Sequence, residues 1–309
     1  MTVDVVPITD ADVAAVGSFL HDHLNNRISP SLWPRVISGS RKADSPNHGF
    51  ALRDGERVVG AYVAYYSKRI VTGRVERICN LGVWSVLPEY RIHSVRLLKA
   101  LLAQDGYHFT DLSPNETVEL VNSRLRFRYL DTSVALVPNL PWPALSHRTR
   151  ISDDTGTIAS TLTGRELELY RDHAQAAAAH HLVLTRGSES CYIMFRRRWY
   201  RGRPIFASVI YISNPRLFRR TVPLLARHLL VHYRLIATFA ELRIVGTRPR
   251  ASFVLPLPKE PVRRHNSKFP RSYAERYREM FPPKMYRSAT LEPYEIDDLY
   301  SELPFSPDW

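Results

Sequence analysis

The stretch Leu81-Gly82-Val83-Trp84-Ser85-Val86-Leu87-Pro88-Glu89-Tyr90-Arg91 decides how this chain is read. It closes a mostly apolar run that begins at Arg74 and has the character of a buried strand. Pro88 stops that run, because proline has no N–H to give a ladder. Ser94 to Gln104 follows as a helix, with Val95, Leu97, Leu98, Leu101 and Leu102 on its apolar side. A helix that opens directly after a tight turn presents unpaired N–H groups and the positive end of its dipole. Such an end suits a pyrophosphate.

Working outward, the first half reads as a mixed α/β region. Ile8 to Asn25 has helical apolar spacing at Val13, Val16, Phe19, Leu20 and Leu24, with Asp10 as its cap. Phe50 to Arg53, the turn Asp54-Gly55, and Val58 to Tyr66 form a hairpin. His108 to Leu112 is a short strand, Asn115 to Leu125 a second helix, and Tyr129 to Val137 a last strand pair. The second half gives a helix from Arg165 to His181, then strands from Ser190 to Trp199 and from Pro204 to Ser213. A helix from Pro215 to Tyr233 and a strand from Leu235 to Val245 come next. Ser272 to Met280 and Pro293 to Leu303 form a helical tail with a proline break. The repeated order strand–strand–helix–strand predicts a duplicated fold, although no residue-level repeat is visible.

Pro138-Asn139-Leu140-Pro141-Trp142-Pro143 and the polar stretch Ser152 to Thr157 read as a linker. They place two domains at 1–147 and 148–309. The fold class is therefore α/β (α+β), a mixed central sheet flanked by helices, in tandem. Hydrophobic residues at 44% and charged residues at 24% exclude wholesale disorder. Two cysteines exclude a disulfide framework and a Cys-rich zinc module. The N-terminus lacks the basic and apolar regions of a signal peptide, and no apolar run approaches the roughly 20 residues of a membrane span. The expected location is cytoplasmic.

The Val-x-Pro-x-Tyr-Arg core at Val86 to Arg91 resembles the signature of the GNAT superfamily of N-acyltransferases, a strand leading through a turn into a long helix. Asn115 to Phe127 is similar to the family's second motif, an Asn-opened helix ending in Gly-Phe, and the element order over 1–137 is similar as well. The resemblance implies an acyl-CoA cosubstrate at the turn, held by Ser85, Val86, Arg91, His93, Ser94, Val95 and Arg96, with Asn122 of the second motif as a further binding residue. It also implies that a backbone N–H of Trp84, Ser85 or Val86 polarises the thioester carbonyl. Four positions depart from the family. Its turn reads Arg/Gln-x-x-Gly-x-Gly/Ala, whereas this one reads Arg91-Ile92-His93-Ser94-Val95-Arg96. The tyrosine of the second helix is matched by Asn122, which has no titratable proton. The glycine of Gly-Phe is matched by Arg126.

Candidates for the chemistry are Glu76 or His93 as base, Tyr129 or Tyr107 as the acid that protonates the leaving thiolate, and Cys79 as a nucleophile. The less specific readings are a solvated strand charge for Glu76 and a buried small hydrophobe for Cys79. His21 and His23 sit about 200° apart on a helix, and His180 and His181 are adjacent, so neither pair shares one ion from one face. No metal site is expected, and no tightly bound cofactor.

The excess of 43 Lys+Arg over 30 Asp+Glu, a formal charge of +13, calls for an anionic partner. It concentrates between Arg196 and Arg250, where thirteen arginines face one acid, Glu241. Trp199, Tyr200 and Phe218 interleave there, a pattern that also suits nucleic acid. Ala289 to Trp309 carries six acids and no Lys or Arg, so pairing within the chain or across a homodimer is a further reading. The sequence supports an acyltransferase that moves an acyl group from acyl-CoA or an acyl carrier protein to an amine. The alternatives are a non-catalytic GNAT-fold binding or scaffold protein, and a nucleic-acid-associated factor.

Overall fold

A computed structural model describes residues 3–39, 45–143, 148–255, 280–297 and 299. The chain forms two compact units. The first takes Met1–Leu130 and Pro283–Glu295, and the second takes Asp131–Pro282 and Ile296–Leu299.

Strands β1 (Val3–Pro7), β2 (Gly49–Asp54), β3 (Arg57–Val71), β4 (Arg74–Val86), β5 (His108–Asp111) and β6 (Arg128–Tyr129) build the first sheet together with β14 (Met285–Arg287). The order is β1-β2-β3-β4-β5-β14-β6. Helices α1 (Val13–His23) and α2 (Trp33–Ser38) precede β2, α3 (Ser94–Leu102) joins β4 to β5, and α4 (Glu116–Arg124) follows β5. The β4–β5 pair is parallel, which requires the α3 crossover. The core of this unit fills with Trp33, Leu52, Tyr62, Leu81, Leu98 and their neighbours.

The second sheet contains β7 (Val134–Pro138), β8 (Thr149–Ser152), β9 (His180–Arg186), β10 (Glu189–Tyr200), β11 (Arg203–Ile212), β12 (Ala237–Glu241) and β13 (Phe253–Leu255). Its helices are α5 (Thr155–Thr161), α6 (Gly164–His173), α7 (Pro215–Tyr233) and the single turn α8 (Leu242–Val245). The sheet order, read from its other edge, is β8-β9-β10-β11-β12-β7-β13. Both sheets run through three antiparallel pairings, one parallel pairing and two antiparallel ones. The expected duplication is thus present as topology. In each sheet the sixth place goes to a strand from the other half of the sequence. β7 follows the first unit's β6 in the chain yet completes the second sheet, and β14 follows β13 yet completes the first.

That exchange corrects several expectations. The units divide at Leu130/Asp131, not at 147, and β6 and β7 lie in different sheets. The proline-rich segment from Pro138 ends a strand within the second unit. Ser152 to Thr157 is no linker: Asp154 Oδ2 accepts the Thr157 N–H at 2.7 Å and caps α5. The Ala-rich helix stops at His173, and His180–Arg186 is a strand whose Leu182, Val183 and Leu184 are buried. Residues 242–245 turn helical instead of extending β12. Around α1, Asp12 rather than Asp10 accepts the Thr9 N–H, at 2.8 Å, while Asp10 binds His48. Of the expected tail, 293–295 forms a 3₁₀ turn, and 272–279 and 300–303 lie outside the described residues.

Candidate functional site

Two features of β4 open the first sheet. The register against β3 pairs Tyr62 with Trp84 but Ala64 with Leu81, so Gly82 and Val83 together oppose Val63 as a bulge. Pairing with β5 covers only Ile78 to Leu81, although β4 continues to Val86. Beyond Leu81, no strand among the described residues pairs with β4 on that side. An open edge offers backbone N–H and C=O groups to an extended ligand. Ser85 and Val86 are half-buried along it, and Trp84 stacks on Tyr62 with centroids 4.5 Å apart.

The turn after β4 differs from the expected cradle. Pro88–His93 is a 3₁₀ helix, with Tyr90 N–H bound to Leu87 C=O at 3.0 Å and Ser94 N–H bound to Arg91 C=O. These i→i−3 bonds occupy N–H groups that a phosphate would need. Arg91 and Val95 are exposed, and His93 and Ser94 are half-buried. Arg96 is committed elsewhere: its Nη1 donates to Val3 C=O on β1 at 2.7 Å.

On α4, Asn122 is fully buried, and its Nδ2 donates to Asp111 Oδ2 at 2.8 Å. It anchors the end of β5 and has no surface for a cosubstrate, which corrects its assignment as a binding residue. Arg126 has φ 66°. Arg126 N–H reaches Ser123 C=O and Phe127 N–H reaches Asn122 C=O, the paired bonds of a Schellman cap. A glycine in the family's motif therefore has a physical reason that survives here without the glycine. Arg126→Gly should raise the stability of this unit by about 1 kcal/mol, because left-handed backbone strains a side chain and spares glycine. An unchanged or lower denaturation midpoint would count against that account. Tyr129 is partly exposed on β6, and its hydroxyl donates to the buried Glu119 Oε1 at 2.8 Å. This brings a phenol to α4 one turn before Asn122. Tyr107 lies elsewhere, packed on Tyr66 with the Arg77 guanidinium 4.0 Å above its ring.

Glu76 and Cys79 do not join this cleft. Eight residues of strand separate Glu76 from Trp84, about 26 Å of β rise. Glu76 accepts His108 Nε2–H at 2.8 Å, and Ser288 Oγ–H donates to His108 Nδ1 at 2.9 Å. Ser288 Oγ also accepts the N–H groups of Leu291 and Thr290 at 2.7 and 3.1 Å. This relay ties β4 and β5 to the chain leaving β14. Cys79 is fully buried, and burial pushes its thiol well above the ordinary range. A neutral buried thiol is a poor nucleophile.

The arginine-rich segment is not one surface. Arg196 is buried. Arg219 donates to Val245 C=O at 2.8 Å, Arg243 binds Glu241 at 2.7 Å and also Ile296 C=O, and Arg248 binds Ser252 C=O. Arg220 lies 3.6 Å from Glu189. The exposed arginines are scattered: Arg201 and Arg203 lie at the β10–β11 tip beside the half-exposed Trp199, Arg216, Arg227 and Arg234 on or just after α7, and Arg250 beyond α8.

Sequence reasoning assigned nothing to the second unit's equivalent edge. There β11 pairs with β12 only over Phe206–Ser208 and bulges at Ile210. Asn214 then caps α7 by accepting Leu217 N–H at 3.0 Å. Tyr211 lines this edge strand, and burial pushes its phenol up to about 12. Only the pairing pattern of two sheets shows that such an edge exists twice. Among the described residues, no group of three or more His, Cys, Asp or Glu could hold a metal ion, and no helix is long and apolar enough to cross a membrane.

No family model matches the sequence, and no curated protein matches it. Solved structures do match. A GCN5-related N-acetyltransferase from Anabaena variabilis ATCC 29413 superposes with TM-score 0.55 at 11% identity, covering 82% of this chain and 70% of that one. A conserved protein of unknown function from Enterococcus faecalis V583, described as a "Probable N-Acyltransferase", gives TM-score 0.56 at 12% identity and covers 95% and 74%. A GCN5-related N-acetyltransferase from Kribbella flavida gives 0.51 at 14%, covering 77% and 64%. The fold is that of the GCN5-related N-acetyltransferases, and the Enterococcus match runs through both units.

Proposed function

We propose that the chain transfers an acyl group from an acyl thioester to an amine, using the open edge of β4 in the first unit. The observation that carries this reading is the combination of bulge and early separation from β5 at Gly82–Val86. A pantetheine arm has two amides and can pair with such an edge as an added strand. Its thioester carbonyl then meets a backbone N–H of Trp84, Ser85 or Val86. That N–H stabilises the oxyanion formed when the amine nitrogen adds to the carbonyl carbon. Collapse breaks the C–S bond, and the thiolate takes the proton that Tyr129 otherwise donates to Glu119 Oε1; the phenolate regains a proton from solvent. The amine's extra proton passes to solvent.

Coenzyme A and an acyl carrier protein share the pantetheine arm. The 3₁₀ turn and the committed Arg96 leave little for a pyrophosphate, which favours the carrier protein as donor. Thiol release should be measured with acetyl-CoA, octanoyl-CoA and an octanoyl carrier protein against a panel of primary amines. Release with the carrier above that with either coenzyme A ester supports the reading, and none with any donor overturns it. Tyr129→Phe should lower kcat roughly 10²-fold while leaving KM within about twofold, since it removes a proton donor and little binding surface. A comparable loss in Tyr107→Phe would move the acid to the other tyrosine.

The same 3₁₀ turn favours one second reading, a binding module that keeps the fold without the chemistry. Calorimetric binding of acyl-pantetheine without turnover would select it.

A further inference from the structure

We infer that the cleft between α7 and the edge strand β8 in the second unit binds a small amphiphile, an aliphatic chain ending in a carboxylate. The cleft is open to solvent and offers about 300 Å³, at the lower end of the range for small-molecule sites, room for a short aliphatic chain such as that of octanoate.

Two kinds of surface meet there. Ile151 of β8 and Leu224 and Val231 of α7 supply apolar walls. Arg227, His228 and His232 supply nitrogen donors on the same side of the helix. The spacing makes this inevitable: positions 224, 227, 228, 231 and 232 fall on one stripe of a helix. A neighbouring stripe, Leu217, Val222, Leu225 and Leu229, faces the core. The stripe that lines the cleft is thus distinct from the stripe that fills the core.

The donors are unspent. His228 Nε2 is buried and has no hydrogen-bond partner, a condition that native folds rarely leave standing. His228 and His232 lie ring on ring with centroids 4.3 Å apart, and among the described residues Arg227 has no ion-pair partner. The acid beside His228, Asp153, is already held by Tyr233 Oη–H at 2.8 Å. Burial and the neighbouring His232 hold His228 down to about 4, so near neutrality it offers an uncharged N–H rather than a second cation. A carboxylate at the mouth would take a charge-assisted bond from Arg227, and a turn of the His228 ring would bring its orphan Nε2 to the same oxygen, while the chain covers Ile151, Leu224 and Val231. This site lies in the second unit and does not depend on acyl transfer at β4.

Calorimetry of the 309-residue chain with sodium octanoate tests it, with octanol, octyl phosphate and acetate as comparisons. Octanoate should bind with Kd below about 1 mM, and octanol and acetate at least tenfold more weakly. Arg227→Gln should weaken octanoate at least tenfold. Leu224→Trp, which fills the cavity, should abolish binding while circular dichroism stays native. Should that variant misfold, Val231→Trp on the exposed rim supplies the same block. Octyl phosphate binding more tightly than octanoate would replace the carboxylate with a phosphate monoester and overturn the stated head group. Equal binding of octanol, no binding of octanoate, or an unaffected Arg227→Gln variant would overturn the site.

Discussion

Tyr286→Pro is expected to unfold the first unit while the second stays folded. β14 lies between β5 and β6, and Tyr286 faces Thr110 on one side and Arg128 on the other. A proline there removes a ladder N–H and forces its ring into a strand with neighbours on both sides, at a cost of about 3 kcal/mol or more. The change also deletes a ring that is 1% exposed, and truncating a buried aromatic costs about 3–5 kcal/mol. Together these approach the whole stability of an ordinary domain, about 5–15 kcal/mol. Limited proteolysis with mass spectrometry reads the outcome. Cleavage should spread through residues 3–130, which are 150 residues or more away in sequence, while strands β9 to β12 stay protected. Continued protection of β1 to β5 would show that the exchanged strand is dispensable. Tyr286→Ala separates the two contributions, since it keeps the N–H and should lose only the packing share.

This strand also marks where sequence reasoning stops. β4 and α7 were readable to the residue, Arg74–Val86 and Pro215–Tyr233, because Pro88 and Pro215 punctuate them locally and their apolar patterns are long. Met285-Tyr286-Arg287 is too short for any period, and only its partners on β5 and β6, more than 150 residues away, make it a strand. The same limit explains the site. Val86-Leu87-Pro88-Glu89-Tyr90-Arg91 marked the end of β4 and the turn that follows it. It did not reveal that the turn closes on itself as a 3₁₀ helix, because this depends on backbone angles that several residue types tolerate. Asn122 stood at a functional position of a familiar motif but is spent on Asp111, a pairing between α4 and β5 that spacing does not encode. Glu76 shared a strand with the cleft, and strand rise alone puts it at the far end. The thirteen arginines looked like one patch because they are close in sequence. Alternation along β10 and the turn of α7 send them to different faces, where carbonyls and Glu189 or Glu241 answer many of them.

Gly49→Ala should be the most damaging single-methyl change near the cleft. Gly49 has φ +107°, a region that side chains avoid. A Cβ built there would lie 2.0 Å from Tyr62 C=O and 2.9 Å from both Ala64 N and Val63 Cα. All three are backbone atoms of β3, so no rotamer change relieves the contact. Nor can the chain retreat. Gly49 N–H is held by Asn47 Oδ1 at 2.8 Å, its C=O accepts Ile8 N–H at 2.8 Å, and Ala64 N–H binds His48 C=O at 3.0 Å. Strain of about 1–3 kcal/mol and overpacking of about 1–3 kcal/mol act together, so a loss of at least 3 kcal/mol is expected. Gly55→Ala is the control. Gly55 also has positive φ, +59°, but nothing lies within 4 Å of its Cβ position, so only the left-handed strain of about 1 kcal/mol should appear. The effect at Gly49 reaches the site because Val63 is the β3 residue that β4 bulges against. Pushing Val63 away moves Gly82 and Val83, and with them the open edge from Trp84 to Val86. Gly49→Ala should therefore lower acyl transfer even where enough folded protein survives to assay. Denaturant midpoints that coincide for Gly49→Ala and Gly55→Ala would refute the close contact as the reason glycine stands at 49.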